Sequence, residues 1–205
     1  MKVKVKIYDF DHTLVDGDSI FLLWKYALKK GWVSPWFAIK SFLKGGIFYC
    51  MTGRFEKMKE GMIALLPKLS QEEMDAFVED LLREKGFPAI LSTIEEEGYV
   101  TILCSASPKA YMELVAQRLG FDYLIATEHQ GGKLTGKNNT GEEKARRLRE
   151  LFQTMDMDVD PTLSKSYTDN PKKDGPMCSF TNQRFVINKT AEGYVTLNDT
   201  SGTSA

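Results

Sequence analysis

Polar and apolar residues alternate at the start of the chain. Val3, Val5 and Ile7 interleave with Lys4, Lys6 and Tyr8, the period-two pattern of a β-strand. The period then lengthens. A helix is predicted from about Ser19 to Lys30, closed by Gly31. Ser34-Pro35 reads as an N-cap followed by proline at the first helical position, opening a helix to about Leu43. Gly45-Gly46 interrupts that pattern, and another helix is expected from about Arg54 to Leu66. Ser70 to Glu73 has the spacing of a capping box, and Gly86 ends the helix it starts. From Tyr99 to Cys104 the chain is short and apolar, as a buried strand is. Ser107-Pro108 caps the next helix, which Gly120 closes. Asp122–Thr127 is strand-like, Gln130-Gly131-Gly132-Lys133 is a hairpin turn, and Thr140 to Glu143 is a second capping box before a helix through Phe152. Leu163–Thr168 and Arg184–Asn188 are further strands, and the small polar tail from Thr200 to Ala205 is expected to fray.

Alternating strands and helices imply an α/β fold: a Rossmann-like, doubly wound, mostly parallel sheet with helices on both faces. The block from 16 to 90 is all helical and interrupts this alternation. It is expected to be a small cap inserted after strand one, with residues 1–15 and 91–205 forming the core. Composition narrows the partners. The 205 residues carry a net charge of −1, which gives no electrostatic case for nucleic acid. Cys50, Cys104 and Cys178 are odd in number and widely spaced, which fits a reducing cytosol and disfavours a disulfide framework or a zinc site. The N-terminus runs straight into a strand without a signal peptide's apolar core, and no apolar run is long enough to span a bilayer.

Candidate chemistry collects where strands end, the place where open α/β sheets bind ligands. Asp9 and Asp11 follow strand one, Ser105 follows the Tyr99–Cys104 strand, and Asp169 follows the strand at Leu163–Thr168, with Asp174 five residues on. Lys144 lies in the first turn of the helix after Thr140. Each has a plain alternative: a solvated turn, a strand-end hydroxyl, a surface lysine. Together they are the set that phosphoryl transfer needs: a nucleophile, carboxylates for a hard cation, donors for phosphoryl oxygens and an acid/base.

These residues resemble the haloacid dehalogenase superfamily. Asp9, Asp11 and Thr13 match its Asp-x-Asp-x-Thr motif, Ser105 its strand-end serine, Lys144 its lysine, and Asp169 with Asp174 its acidic pair. The helical insertion resembles the cap of the phosphoserine phosphatase-like branch. The stretch from Ser166 to Asp169, with Arg184 to Asn188, is similar to that branch's lipid-phosphate phosphatases of the phosphatidylglycerophosphatase C type. The resemblance implies a Mg2+-dependent phosphomonoester hydrolase acting through an aspartyl-phosphate, on a small-molecule or lipid-linked phosphate. Asp9 is implied as the nucleophile and Asp11 as the acid/base. Mg2+ is implied to be held by Asp9, the Asp11 carbonyl and Asp169, with Asp174 holding metal-bound water. Thr13 is implied to orient Asp11 at the phosphate site, Ser105 and the Ala106 N–H to bind phosphoryl oxygens, and Lys144 to offset their charge. His12 is given no catalytic role. The fourth motif departs from the usual pattern in the spacing of its acids, with Lys172 and Lys173 between them, and in Thr168 where glycine is frequent. Phosphoserine phosphatases also use an acid soon after the first motif and an arginine in the cap. Asp18 fits the first, but the second falls near Glu60, whose charge would repel a substrate carboxylate. Phosphoserine is therefore disfavoured, and a phosphoserine phosphatase proper is the alternative.

The insertion has its own character. Between Asp18 and Glu56 there is no acid, yet there are Lys25, Lys29, Lys30, Lys40, Lys44 and Arg54, with Trp24, Trp32 and Trp36. The segment 19–55 reads as a peripheral membrane contact facing anionic lipid, or as a cap whose aromatics pack on one another. Two other classes use similar parts. A phospho-accepting receiver domain shares acids, Mg2+ and a lysine, and a silent membrane-associated binding protein shares the basic, aromatic segment.

Overall fold

The computed structural model describes residues 2–53, 55–189 and 195–199; for 55, 189 and 195–199 only the backbone is described. A six-stranded sheet carries the architecture. In chain order its strands are β1 (Val5–Tyr8), β2 (Val100–Pro108), β3 (Tyr123–Thr127), β6 (Lys165–Thr168), β7 (Gln183–Lys189) and β8 (Val195–Asp199). The spatial order is β3-β2-β1-β6-β7-β8; the first five run parallel and β8 pairs antiparallel with β7. The small hairpin β4 (His129–Gln130) and β5 (Lys133–Leu134) turns through Gly131 and Gly132, both at positive φ (56° and 76°), as a tight hairpin turn requires. Helices α6 (Lys109–Leu119), α7 (Glu142–Thr154) and α8 (Pro171–Cys178) follow β2, β5 and β6. Order reverses at β1, where connections leave on either side, so the ends of β1, β2 and β6 open into one crevice.

Period two in β1 sends its residues to both faces. Val5 and Ile7 join Ile102, Cys104, Leu148, Phe152 and Met177 on one side. Tyr8 joins Leu103, Tyr111, Met112 and Tyr167 on the other. There Tyr8 stacks on Tyr167 (ring centroids 4.4 Å apart) and Tyr167 on Phe185 (5.0 Å), a ladder across three strands. The alternation does not expose the polar residue. Lys6 is fully buried, and its ammonium reaches the Glu96 carboxylate (2.7 Å) and the Thr93 carbonyl.

Between β1 and β2 run α1 (Ser19–Lys30), α2 (Pro35–Thr52), α3 (Phe55–Ile63), α4 (Gln71–Lys85) and the short α5 (Pro88–Leu91). Their apolar residues share one cluster with Tyr8, Phe10 and Leu103, so the core is continuous across the expected boundaries at 16 and 90. Asp18 caps α1, Ser34 caps α2, and Ser70 with Glu73 forms the full capping box of α4. Gly45-Gly46 does not break α2. Gly45 faces Gly61 of α3, where a Cβ on Gly61 would lie 2.7 Å from the Ser41 carbonyl and 3.0 Å from the Gly45 Cα. The glycines let two helix backbones touch, which outweighs their low helix propensity. The box at Thr140 does not form: Gly141 sits at the N-cap of α7 without a side-chain cap, and the Thr140 hydroxyl has no partner.

Candidate active site

The site is assembled at the carboxyl ends of β1, β2 and β6. Asp9 directly follows β1, and its N–H still donates to the Tyr167 carbonyl of β6 (3.0 Å). The chain then turns over the Phe10 carbonyl, which accepts from the N–H groups of Thr13 (3.1 Å) and Leu14 (2.8 Å). His12 takes positive φ (58°) in this turn, an unusual conformation for a residue with a side chain. The result places Asp9 and Asp11 on one wall of a cavity of about 190 Å³. His12, Asp18, Lys59, Ala106, Ser107, Asn138, Lys144, Asp169, Asn170, Lys173 and Asp174 complete the polar part of that wall.

Lys144 is 2% exposed and lies 2.7 Å from Asp9 Oδ1 and 3.0 Å from Asp174 Oδ1. Burial alone would lower its pKa, but the carboxylates of Asp9 and Asp174 outweigh that and keep the ammonium charged. Burial raises the Asp9 pKa, Lys144 draws it back, and Asp174 and Asp11 push it up again. Asp169 is pushed up to about 6, by burial first and then by Asp9. Asp11 is held from two sides. Ser107 Oγ donates to its Oδ2 (2.6 Å) and the Ser19 N–H to its Oδ1 (2.8 Å). Burial and Asp18 raise its pKa against those two donors, a balance that favours a carboxyl able to hold a proton.

Of the residues expected from sequence, Asp9, Asp11, Asp18, Ala106, Lys144, Asp169 and Asp174 share this cavity. The contacts of four expected residues bear on their roles. Thr13 is fully buried and accepts from the Asp169 N–H (2.9 Å); it ties the β1 and β6 loops together behind the cavity, and Ser107 and Ser19 orient Asp11 instead. Ser105 is also fully buried, and its hydroxyl accepts from the Ser107 N–H (3.0 Å), so Ala106 and Ser107 form the wall. Asp174 lines the cavity and is engaged by Lys144 (3.0 Å) and by the Thr168 hydroxyl (2.8 Å to Oδ2), so it also anchors the lysine. Glu60 points away, to Lys57 (2.9 Å); its neighbour Lys59 enters the cavity. Glu60 therefore does not repel a carboxylate in the cavity.

Sequence reasoning missed Lys59, Ser107, Ser19 and Asn138. Lys59 is 8% exposed and donates to the Ala106 carbonyl and to Asn138 Oδ1. Burial lowers its pKa to about 8, against the pull of Asp11 and Asp18. Ser107 had a signal: it stands two residues beyond Ser105, on the same side of an extended strand. It reads from sequence as a helix cap, but β2 continues, with an irregularity between Cys104 and Pro108, and Pro108 takes the cap position. Among the described residues, no three His, Cys, Asp or Glu side chains converge as a metal-binding group. The carboxylates on the wall are Asp9, Asp11, Asp18, Asp169 and Asp174, and the charge of Asp9 reaches Asp169.

A doubly wound sheet, two acids after β1 and a lysine buried on the first of them define a hydrolase of one family. The model of the haloacid dehalogenase-like hydrolases matches residues 7–178, and the chain belongs to that family. No curated protein matches the sequence. Among solved structures it is similar to a protein of unknown function from Bordetella pertussis Tohama I (22% identity, TM-score 0.67, covering 82% of this chain and 83% of that one). It is also similar to phosphoserine phosphatase in apo form (17%, 0.59, 89% and 85%) and to a phospho-aspartyl intermediate analogue of phosphoserine phosphatase (22%, 0.54, 90% and 86%). At these identities the likeness is one of fold. The receiver-domain reading is set aside by the family match and by the five helices between β1 and β2.

Proposed function

We propose that the chain is a Mg2+-dependent phosphatase that hydrolyses phosphomonoesters through an aspartyl-phosphate on Asp9. The observation that carries this reading is the division of labour between two acids on one wall. Asp9 is paired with a buried, charged Lys144, while Asp11 is held by two neutral donors and kept prone to protonation. A nucleophile and an acid/base need those opposite environments.

Asp9 attacks phosphorus as the bond to the leaving alcohol breaks, and Asp11 gives that oxygen its proton. Water then attacks the phosphoryl group, Asp11 takes a proton from it, phosphate leaves and Asp9 is restored. Lys144 offsets charge on Asp9 as the dianionic group approaches, and the Ala106–Ser107 wall faces the phosphoryl oxygens. Asp9 raises the pKa of Asp169, and the hard oxygens of both suit a cation that keeps several waters. Asp9, Asp169 and the Asp11 backbone carbonyl would hold Mg2+, which supplies positive charge to the phosphoryl oxygens when bound.

The cavity is small, so only a compact group next to the phosphate fits inside it. Lys59 beside Asp18 favours a substrate with a second anionic group close to the phosphate. Phosphoserine satisfies that, and so does a lipid headgroup that carries a phosphodiester beside its terminal phosphomonoester. The test is turnover of p-nitrophenyl phosphate, then rates on phosphoserine and on a lysophospholipid-type phosphomonoester, with Mg2+ and with EDTA. Hydrolysis that needs Mg2+ and disappears in Asp9→Asn supports the reading; turnover in EDTA or by Asp9→Asn at the wild-type rate refutes it.

A further inference from the structure

A surface helix ordinarily turns its large apolar residues inward and its small or polar ones outward. α2 departs from this: Phe37 and Phe42 pack on Trp24 of α1, but a second row of large apolar residues faces out. Its buried positions are Ala38, Ser41 and Gly45, the small residues that let it lie against α3. Its outer positions are Trp36 (75% exposed), Ile39, Leu43, Ile47 and Met51 (76%). These recur every three or four residues and so form one ridge. Over 18 residues the helix is about 27 Å long. No close packing with α1 or α3 requires such side chains on the outside, and an exposed apolar patch of this kind marks an interaction surface.

Charge says what it meets. Lys40 and Lys44 flank the ridge and also line a neighbouring groove with Lys57 and Lys133. The acid lining that groove, Glu60, is paired with Lys57. From Ser19 through Gly53 the sequence holds no Asp or Glu. We propose that the outer face of α2 docks this protein peripherally on an anionic lipid bilayer, with the ridge at the headgroup boundary and the lysines on lipid phosphates. A second copy of the chain fits less well. A two-fold dimer would set this face against itself, bringing Lys40 and Lys44 onto their own counterparts with no carboxylate between them. Among the described residues no helix is long and apolar enough to cross a membrane, so α2 lies on the surface. The inference rests on α2 and not on the proposed catalysis.

The test is co-sedimentation of the full chain with vesicles of phosphatidylcholine alone or mixed with phosphatidylglycerol. The protein should pellet with the anionic vesicles, far less with the neutral ones, and progressively less as salt rises. Lys40→Gln/Lys44→Gln should weaken binding roughly 30-fold, from about 1 kcal/mol per lysine near an anionic surface. Trp36→Ser/Leu43→Ser/Ile47→Ser should lose binding altogether. Unchanged far-UV circular dichroism, and unchanged p-nitrophenyl phosphate turnover without vesicles where the wild type turns it over, separate a lost docking face from lost folding. Failure to pellet with anionic vesicles, or pelleting indifferent to both variants, overturns the proposal. A wild-type dimer that the ridge variant dissolves also overturns it and assigns the face to a second copy.

Discussion

Replacing Lys59 with methionine separates what this residue does for the fold from what it does for the site. Its pKa is lowered to about 8, chiefly by burial. At about 1.4 kcal/mol per pKa unit, keeping it charged costs the folded state about 3 kcal/mol relative to water. Against that, methionine removes donors from the Ala106 carbonyl and Asn138 Oδ1. The Thr127 hydroxyl lies 2.7 Å and 2.9 Å from the same two acceptors and can serve one of them at a time. One acceptor is then left short, at a cost of about 1–3 kcal/mol. The two effects nearly cancel, so urea unfolding at pH 7 should change by less than about 2 kcal/mol. The wild type has a further signature. Its lysine is less basic folded than unfolded, so the unfolded chain binds the extra proton between about pH 8 and 10.5, and stability contributed by this group rises with pH across that window. Lys59→Met should lack the rise. In kinetics, KM for phosphoserine should increase at least tenfold in the variant, and in the wild type as pH passes about 8, while KM for p-nitrophenyl phosphate should change little. A loss of more than about 4 kcal/mol, or equal KM changes for both substrates, would show that Lys59 is a structural residue and refute the reasoning.

Lys144→Met should be far more damaging, because it leaves Asp9 and Asp174 buried without their shared cation; a destabilisation of about 3–5 kcal/mol is expected by urea unfolding. Gly61→Ala forces a Cβ to within 2.7 Å of the Ser41 carbonyl, so α2 and α3 must separate; about 1–3 kcal/mol should be lost in thermal or urea melts. Asp11→Asn should slow hydrolysis of an alkyl phosphate by about 10²–10⁴, and transfer from p-nitrophenyl phosphate to Asp9 much less, since nitrophenolate leaves without a proton.

Much of the candidate site was legible because it is written at strand ends. Asp9 and Asp169 directly follow strands whose pairing in a parallel sheet brings them together, Asp11 lies two residues after Asp9, and Lys144 follows from its place in the first turn of α7. What failed to be legible was set by tertiary contact. Gly45 reads locally as a helix breaker, and only its contact with Gly61 shows why α2 runs on. Ser107-Pro108 reads as a cap, yet the serine is held by Asp11, distant in sequence. Thr13 and Ser105 sit in the right motifs, and the sequence does not show that each hydroxyl also accepts from a backbone N–H of another loop or turn. Adjacent positions on a helix point about 100° apart, so Lys59 lines the cavity while Glu60 turns to Lys57, a difference the sequence around them does not show. Strand β8 (Val195–Asp199) was not anticipated, and the expected fraying of Thr200–Ala205 lies outside the described residues. The acid-free stretch before Glu56 holds both buried and exposed aromatics, which its sequence does not separate. Trp24 is buried and donates to the Met62 carbonyl (2.7 Å), whereas Trp36 stands in the open.

The central claim is that Asp9 carries the phosphoryl group. Asp11→Asn, mixed with p-nitrophenyl phosphate and Mg2+, should release one equivalent of nitrophenolate in a burst and then stall, because the amide cannot take a proton from the hydrolytic water. Acid quenching, digestion and mass spectrometry should then find one phosphoryl group on the peptide that contains Asp9, and none when Asp9→Asn is added. Steady turnover without a burst, or a phosphoryl group on any other residue, would contradict the account.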